Sequence, residues 1–343
     1  MMRLPLSWLL AFTTAALALL LLGSLATGPM TLTLGESLRA LFAGQESGID
    51  SHKLLIVQEI RLPRTLLCIA VGGILGLCGA VMQGLFRNPL ADPGIIGVSG
   101  GAALGAALAI VLLAPLGQQL QATIGVGLLP LLAFLGGALT TTLVYLLGTR
   151  EGGTSVTVML LAGVAITALS GAVIGLLTYL ADDQMLRNLS LWQMGTLAAG
   201  KPADVALALL TLTALLWLFM RDANPLNALL LGEGEARHLG VNVQSLKRRL
   251  ILLTAAGVGV AVAVSGMIGF VGLVVPHLVR LLAGPNHVRL LPLSALLGAA
   301  LLLAADMLAR TLLAPAELPV GIITALLGAP FFIWLLVKGR RAL

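Results

Sequence analysis

Long runs of Leu, Ala, Val and Gly alternate with short polar breaks along the whole chain. A helix needs about 20 apolar residues to cross a bilayer. Ten runs meet or approach that length: 7–27, 63–85, 95–115, 122–147, 156–180, 203–220, 249–268, 271–284, 291–312 and 320–337. Gly and Pro blur the ends of the third and the eighth. The pattern predicts an all-α membrane protein of ten transmembrane helices, one domain over residues 1–343, with both termini cytoplasmic. The first run follows Arg3 and ends in small residues, as a secretion signal does; the nine runs behind it argue for a retained span.

Charge fits this picture. Only 10% of residues are charged and 59% are hydrophobic, whereas a soluble domain carries about 25% charge. Lipid must therefore be part of the solvent. The net charge of +6 is spread between apolar runs, which speaks for loop charge under the positive-inside rule and against a nucleic-acid partner. Ten spans place 13 of the 20 Lys and Arg residues on the cytoplasmic side. Cys68 and Cys78 share one helical run, about 15 Å apart, too far for a disulfide.

One compact polar stretch interrupts the middle of the chain: GEGEARHLGVNVQSLKRR, from Gly232 to Arg249. It lies in the long connection 221–249 between the sixth and seventh runs. It reads as two short helices. The first, over about 228–239, spaces Glu233 and Arg237 to pair at i,i+4, and Gly240 suits its C-cap. Asn242 caps the second helix, which ends in the basic run Lys247–Arg248–Arg249. Such a segment fits an amphipathic element resting on anionic headgroups or a docking element for a soluble partner.

This stretch resembles the coupling segment (G-E-x-x-A-x-x-L-G-V-x-V) of the ABC importer permeases for iron siderophores, haem and vitamin B12. Four more stretches match that family in order: RLPRTL at 61–66, GAVMQGLFRNPLADPGIIGVSGGAALG at 79–105, GFVGLVVPHLVRLLAG at 269–284 and ELPVGIITALLGAPFFIWLL at 317–336. The resemblance implies a homodimeric permease in the bacterial inner membrane. It implies two ATP-binding subunits beneath and a periplasmic substrate-binding protein above. Coupling helices would occupy 222–248, with Glu233, Glu235, Ala236, Arg237, Leu239, Gly240 and Val241 facing the ATPase. Arg61, Arg64 and Arg310 would dock the binding protein from an outer patch. Asn88, Leu90, Thr154 and Ser155 would form the cytoplasmic gate. No cofactor is implied on this chain; ATP and Mg would sit on the partner ATPase. No G-x-x-x-x-G-K-[ST] occurs here, so another chain must cradle the phosphates.

Several of these residues also fit plainer roles. The arginines fit interfacial snorkelling, and Thr154 fits a helix N-cap. Pro63 places the start of the second span between Arg61 and Arg64. Asp306 lies one turn before Arg310 and fits an ion pair with it; His277, after Pro276, fits a helix start. The run D-x-Q-x-L-R-x-L-x-x-W-x-M-G at 182–195 is nearer the haem branch of the family, making haem the expected cargo. Ferric siderophores and cobalamin remain alternatives. A proton-coupled carrier would need buried carboxylates in several spans, and only Asp306 qualifies. No catalytic or metal-binding constellation stands out.

Overall fold

The computed structural model describes residues 5–30, 32–42, 50–114, 116, 127–150, 153–198 and 200–340. Arg3 and Arg341, two of the orienting charges, and the first residues of the predicted 122–147 run lie outside them. Among the described residues the fold is helical, with a single two-stranded hairpin.

Seven helices are long and apolar enough to cross a membrane: α1 (Leu6–Ala26), α3 (Ser51–Leu85), α5 (Leu128–Gly148), α6 (Val156–Leu180), α8 (Pro202–Arg221), α11 (Val243–Ser265) and α13 (His287–Thr311). Three of the ten predicted runs form shorter apolar helices instead: α4 (Val98–Val111), α12 (Val271–Ala283) and the Val320–Leu335 part of α14 (Val320–Arg340). Fourteen residues of helix reach about 21 Å, short of a hydrocarbon core of about 30 Å. Backbone geometry sets these limits. Gly97 at φ +82 starts α4 after a 3-10 turn over Pro93–Ile96, and Phe270 at φ +67 starts α12. Non-helical backbone at such depth has to be enclosed by protein or line a watery cavity.

α3 is the central element. Its apolar window is 89% buried, against 17% for α1 and α6, and it packs on α13, α8, α12 and α11. Small residues permit the close crossings. A Cβ on Gly72 would lie 2.4 Å from the Gly298 carbonyl oxygen of α13, so these backbones touch directly. α3 starts well before the expected site at Pro63. It begins at Ser51 and passes through a π-helical turn, Ile56–Arg61, in which Leu62 N–H reaches back to the Val57 carbonyl. Proline removes a donor and crowds the preceding turn; the wider turn absorbs that misfit and the helix continues.

Two short helices complete the periphery: α2 (Leu34–Phe42), and α7 (Asp183–Gln193), capped by Asp182. α7 lies between the fifth and sixth runs, with Leu189 and Trp192 buried. Cys68 and Cys78 are free and buried.

Candidate functional site

The polar segment forms three pieces rather than two. α9 (Ala223–Leu230) follows α8, Gly232 turns the chain at φ +121, and α10 (Glu233–His238) comes next. The single helix expected over 228–239 is split at Gly232, which takes a conformation that L side chains avoid. The cap positions are as expected. Val241 N–H donates to the Ala236 carbonyl at 3.0 Å and Gly240 N–H to that of Arg237 at 2.9 Å, the paired bonds of a Schellman cap. Asn242 Oδ1 accepts from Ser245 N–H at 3.1 Å and opens α11. Glu235, Arg237, Leu239 and Gly240 are exposed, Glu233 and Val241 half-buried, and Ala236 buried.

The expected Glu233–Arg237 pair is the weaker of two. Arg237 stands 3.9 Å from Glu233 and is 59% exposed. Glu233 instead accepts from Lys247 Nζ at 2.6 Å. Lys247 belongs to the basic run read as resting on headgroups or docking a soluble partner, and either reading expects an exposed charge, yet it is 2% exposed. It occupies the buried stripe Val243, Leu246, Lys247, Leu250 and Ile251 on α11, a helical spacing that turns it inward.

The two expected gate elements lie toward the same end of the bundle. Arg87, at φ +49, closes α3 with a second Schellman pair, Asn88 N–H to Gln83 and Arg87 N–H to Gly84. Asn88 Oδ1 then accepts from Leu90 N–H at 2.9 Å. Leu90 shares a small crevice with Leu273 and His277 of α12 and Phe331 of α14. The second element is the hairpin of β1 (Thr149–Arg150) and β2 (Gly153–Thr154). Ser155, not Thr154, is the N-cap of α6. The Thr154 hydroxyl meets that of Thr149 at 3.1 Å. α11 holds the Thr154 backbone: its N–H donates to Gln244 Oε1 at 3.1 Å, and its carbonyl accepts from Lys247 Nζ at 3.0 Å. Among the described residues no hydrogen bond joins Asn88 or Leu90 to Thr154 or Ser155.

Arg61, Arg64 and Arg310 come together at the opposite end, where α1 and α13 finish, but not as a water-facing patch. They are 4, 5 and 2% exposed. Arg64 pairs with Asp306 at 2.8 Å and Glu317 at 2.7 Å, and Arg310 with Asp306 at 3.0 Å. Arg61 donates to the carbonyls of Leu25 and Ala26 at 2.7 and 2.9 Å and to that of Met30. Arg310 donates to the Thr27 carbonyl at 3.2 Å and to Ser24 Oγ at 2.8 Å. The C-terminal carbonyls of α1 thus attract two guanidiniums, as the negative end of a helix does. This corrects the expectation of exposed arginines: α1 and Asp306 supply acceptors that water would otherwise provide. A crevice of about 240 Å³ opens beside them, lined by Met30, Ile56, Ile60 and Glu317.

The sequence matches one transport family across nearly its whole length, residues 16–338. The chain belongs to the FecCD transport family. It is 48% identical over 338 residues to the hemin transport system permease protein HmuU of Yersinia pestis, covering 97% of this chain and 96% of that one. It is 42% identical over 334 residues to the vitamin B12 import system permease protein BtuC of Shigella boydii, covering 97% and 96%. A solved inward-facing metal-chelate type ABC transporter superposes with TM-score 0.82 at 34% identity, covering 97% of this chain and 99% of that one. This FecCD protein is therefore the membrane permease subunit of an ABC importer, a multi-pass protein of the bacterial inner membrane.

Three residues of this permease that sequence reasoning passed over belong to its two polar centres. Lys247 and Gln244 tie α11 to the hairpin. Glu317 supplies the second acid of the arginine cluster. The inward turn of Lys247 was readable in its i+4 spacing from Val243; the other two carry no such signal. His277 sets its ring edge-on to Phe331 at 6.2 Å.

Proposed function

We propose that this permease imports haem by alternating access, as one of two copies that each span the membrane ten times. The likeness to the hemin permease of Yersinia pestis, 48% identity over 97% of this chain, carries the reading. In it, α4, α12 and α14 cross together with the irregular segments that precede them. The exposed apolar face of α6, including Leu161, Val164 and Leu169, packs on the second copy.

Two ATP-binding subunits hold ATP and Mg and seat α10 through Glu233, Glu235, Ala236, Arg237, Leu239, Gly240 and Val241. Nucleotide shifts a pre-existing equilibrium by its differential affinity for the two states, and Asn88, Leu90, Thr154 and Ser155 open or close toward the cytoplasm. At the other end a periplasmic binding protein docks near Arg61, Arg64 and Arg310. Three cations against Asp306 and Glu317 leave one positive charge in excess. Because the cluster is buried, docking uses an acidic side chain inserted into the adjoining crevice rather than a flat charged patch.

A second reading keeps the mechanism and changes the cargo. Cobalamin and vitamin B12 permeases stand at 44% and 42% identity, and ferric siderophores are related chelates. Uptake into proteoliposomes containing the full importer, with haem, a ferric siderophore and cobalamin offered in parallel, separates them. ATP-dependent accumulation of haem alone is expected. Accumulation of cobalamin or siderophore without haem would overturn the cargo.

A further inference from the structure

Among the described residues, Lys247 is the one side chain that bonds both α10 and the hairpin after α5. Its Nζ reaches Glu233 Oε1 at 2.6 Å and the Thr154 carbonyl at 3.0 Å, and its side chain is 3% exposed. One turn earlier, Gln244 takes the Thr154 N–H at 3.1 Å. Both polar groups of the Thr154 peptide are therefore held by side chains three apart on α11, which face one way. Gly153 makes room for this grip: a Cβ there would lie 2.3 Å from Gln244 Nε2.

The arrangement ties the hold on Thr154 to the position of α10. A buried ammonium needs its counterion. While α10 stays in place, Glu233 neutralises Lys247 and the cation remains turned in toward the Thr154 carbonyl. If α10 shifts so that Glu233 withdraws, the cation is left buried with a neutral acceptor alone. It must then seek water or another acid, and its hold on Thr154 is lost. Arg237, at 3.9 Å from Glu233 and largely exposed, is the other cation within reach of that carboxylate. No contact links α10 to the hairpin except through this lysine among the described hydrogen bonds and ion pairs.

We propose that Lys247 is a positioning residue of the transport cycle, a strut that converts displacement of α10 into release of the Thr154 backbone. The proposal rests on the reading of α10 as the ATPase contact and of the hairpin as a gate element. Physical coupling between sites requires an element with two arrangements that both sites bias, and the shared lysine is such an element.

The test uses the importer assembled with its ATPase subunits in proteoliposomes, with Thr154→Cys in a background where Cys68 and Cys78 are replaced by Ala. Thiol labelling from the cytoplasmic side is measured with and without ATP and vanadate. In this parent, labelling should differ between the two conditions. Lys247→Met should leave subunit assembly and ATP hydrolysis at the parental level while the labelling ratio falls to about one, a loss within the roughly 5- to 150-fold span of typical couplings. Lys247→Arg, which keeps a cation, should restore part of the ratio. A merely structural lysine would lower the yield and leave the ratio intact, and that result overturns the proposal. If Lys247→Met does not assemble, the double variant Lys247→Met with Glu233→Gln decides: it removes the link between α10 and the hairpin without stranding a charge, and an unchanged ratio refutes the strut. A parent whose labelling ignores nucleotide refutes the gate reading itself, and the strut with it.

Discussion

Replacing Asp306 tests whether the arginine cluster is the clasp that the geometry describes. Asp306 is fully buried and lies between Arg64 and Arg310, whose side chains are 6% and 3% exposed. Asp306→Asn keeps the size and removes the charge. Three arginines then face Glu317 alone, and its side chain is 34% exposed. Breaking a buried ion pair by removing one partner costs about 3–5 kcal/mol, because the stranded charge stays desolvated. Arg310 keeps the Ser24 hydroxyl and Thr27 carbonyl as acceptors, and Arg64 keeps Glu317. The lower end, about 3 kcal/mol, is therefore expected.

Glu317→Gln is the internal control. It removes the same charge at the half-exposed rim, where an ion pair contributes about 1 kcal/mol or less. Equilibrium unfolding of the purified permease in mixed micelles, followed by circular dichroism, gives both values. A double variant, Asp306→Asn with Arg310→Met, should lose less than the sum, since each change strands the other's partner. If Asp306→Asn costs no more than Glu317→Gln, or the double variant is additive, then water reaches the arginines and the clasp does not exist.

Three further outcomes follow from the packing. Gly72→Ala should cost about 1–3 kcal/mol, the usual penalty of overpacking, in the same unfolding assay, because its Cβ would meet the Gly298 backbone at 2.4 Å; Gly175→Ala, with nothing within 4 Å, should be neutral. Gly240→Ala should destabilise the cap of α10 by about 1–2 kcal/mol, since Gly240 sits at φ +82, and should reduce co-purification of the ATPase subunits. The Lys53 ammonium of α3, then the Thr33 N–H and hydroxyl, hold the Glu36 carboxyl of α2 down at about 2. The folded value lies below the ordinary one, so this contribution is complete above about pH 4.5, declines below it and is gone once pH has fallen through about 2. Hydrogen exchange of the α2 amides should be insensitive to pH-driven opening down to about pH 4 once the intrinsic rate is factored out.

The apolar runs were legible as helices because a bilayer imposes one composition on the segments that cross it; among the described residues seven are long enough to cross and three form shorter helices. Their lengths were less so. α4 and α12 stop short where Gly97 and Phe270 take positive φ, and for Phe270 no rule of residue preference points there. The caps at Gly240 and Asn242 were legible because capping is local chemistry. The early start of α3 was not, because proline in the first turn of a helix and proline after a π-turn have the same sequence.

The same contrast explains which charges were read correctly. Asp306 and Arg310 pair at i,i+4 as spacing suggests, since both lie on one buried face of α13. Glu233 and Arg237 have the same spacing, yet Glu233 turns to Lys247. In water the nearest opposite charge along a helix is an adequate partner, and the gain is a few tenths of a kcal/mol (~0.3–0.5). For a buried charge the cost of its own desolvation far outweighs that gain, so it takes whichever opposite charge shares its burial. Arg64 accordingly finds Asp306 from 242 residues away, and Lys247 draws Glu233 off Arg237. For a chain that keeps so few charges, the informative feature of each one is therefore the face it occupies, and only then its distance to the next charge.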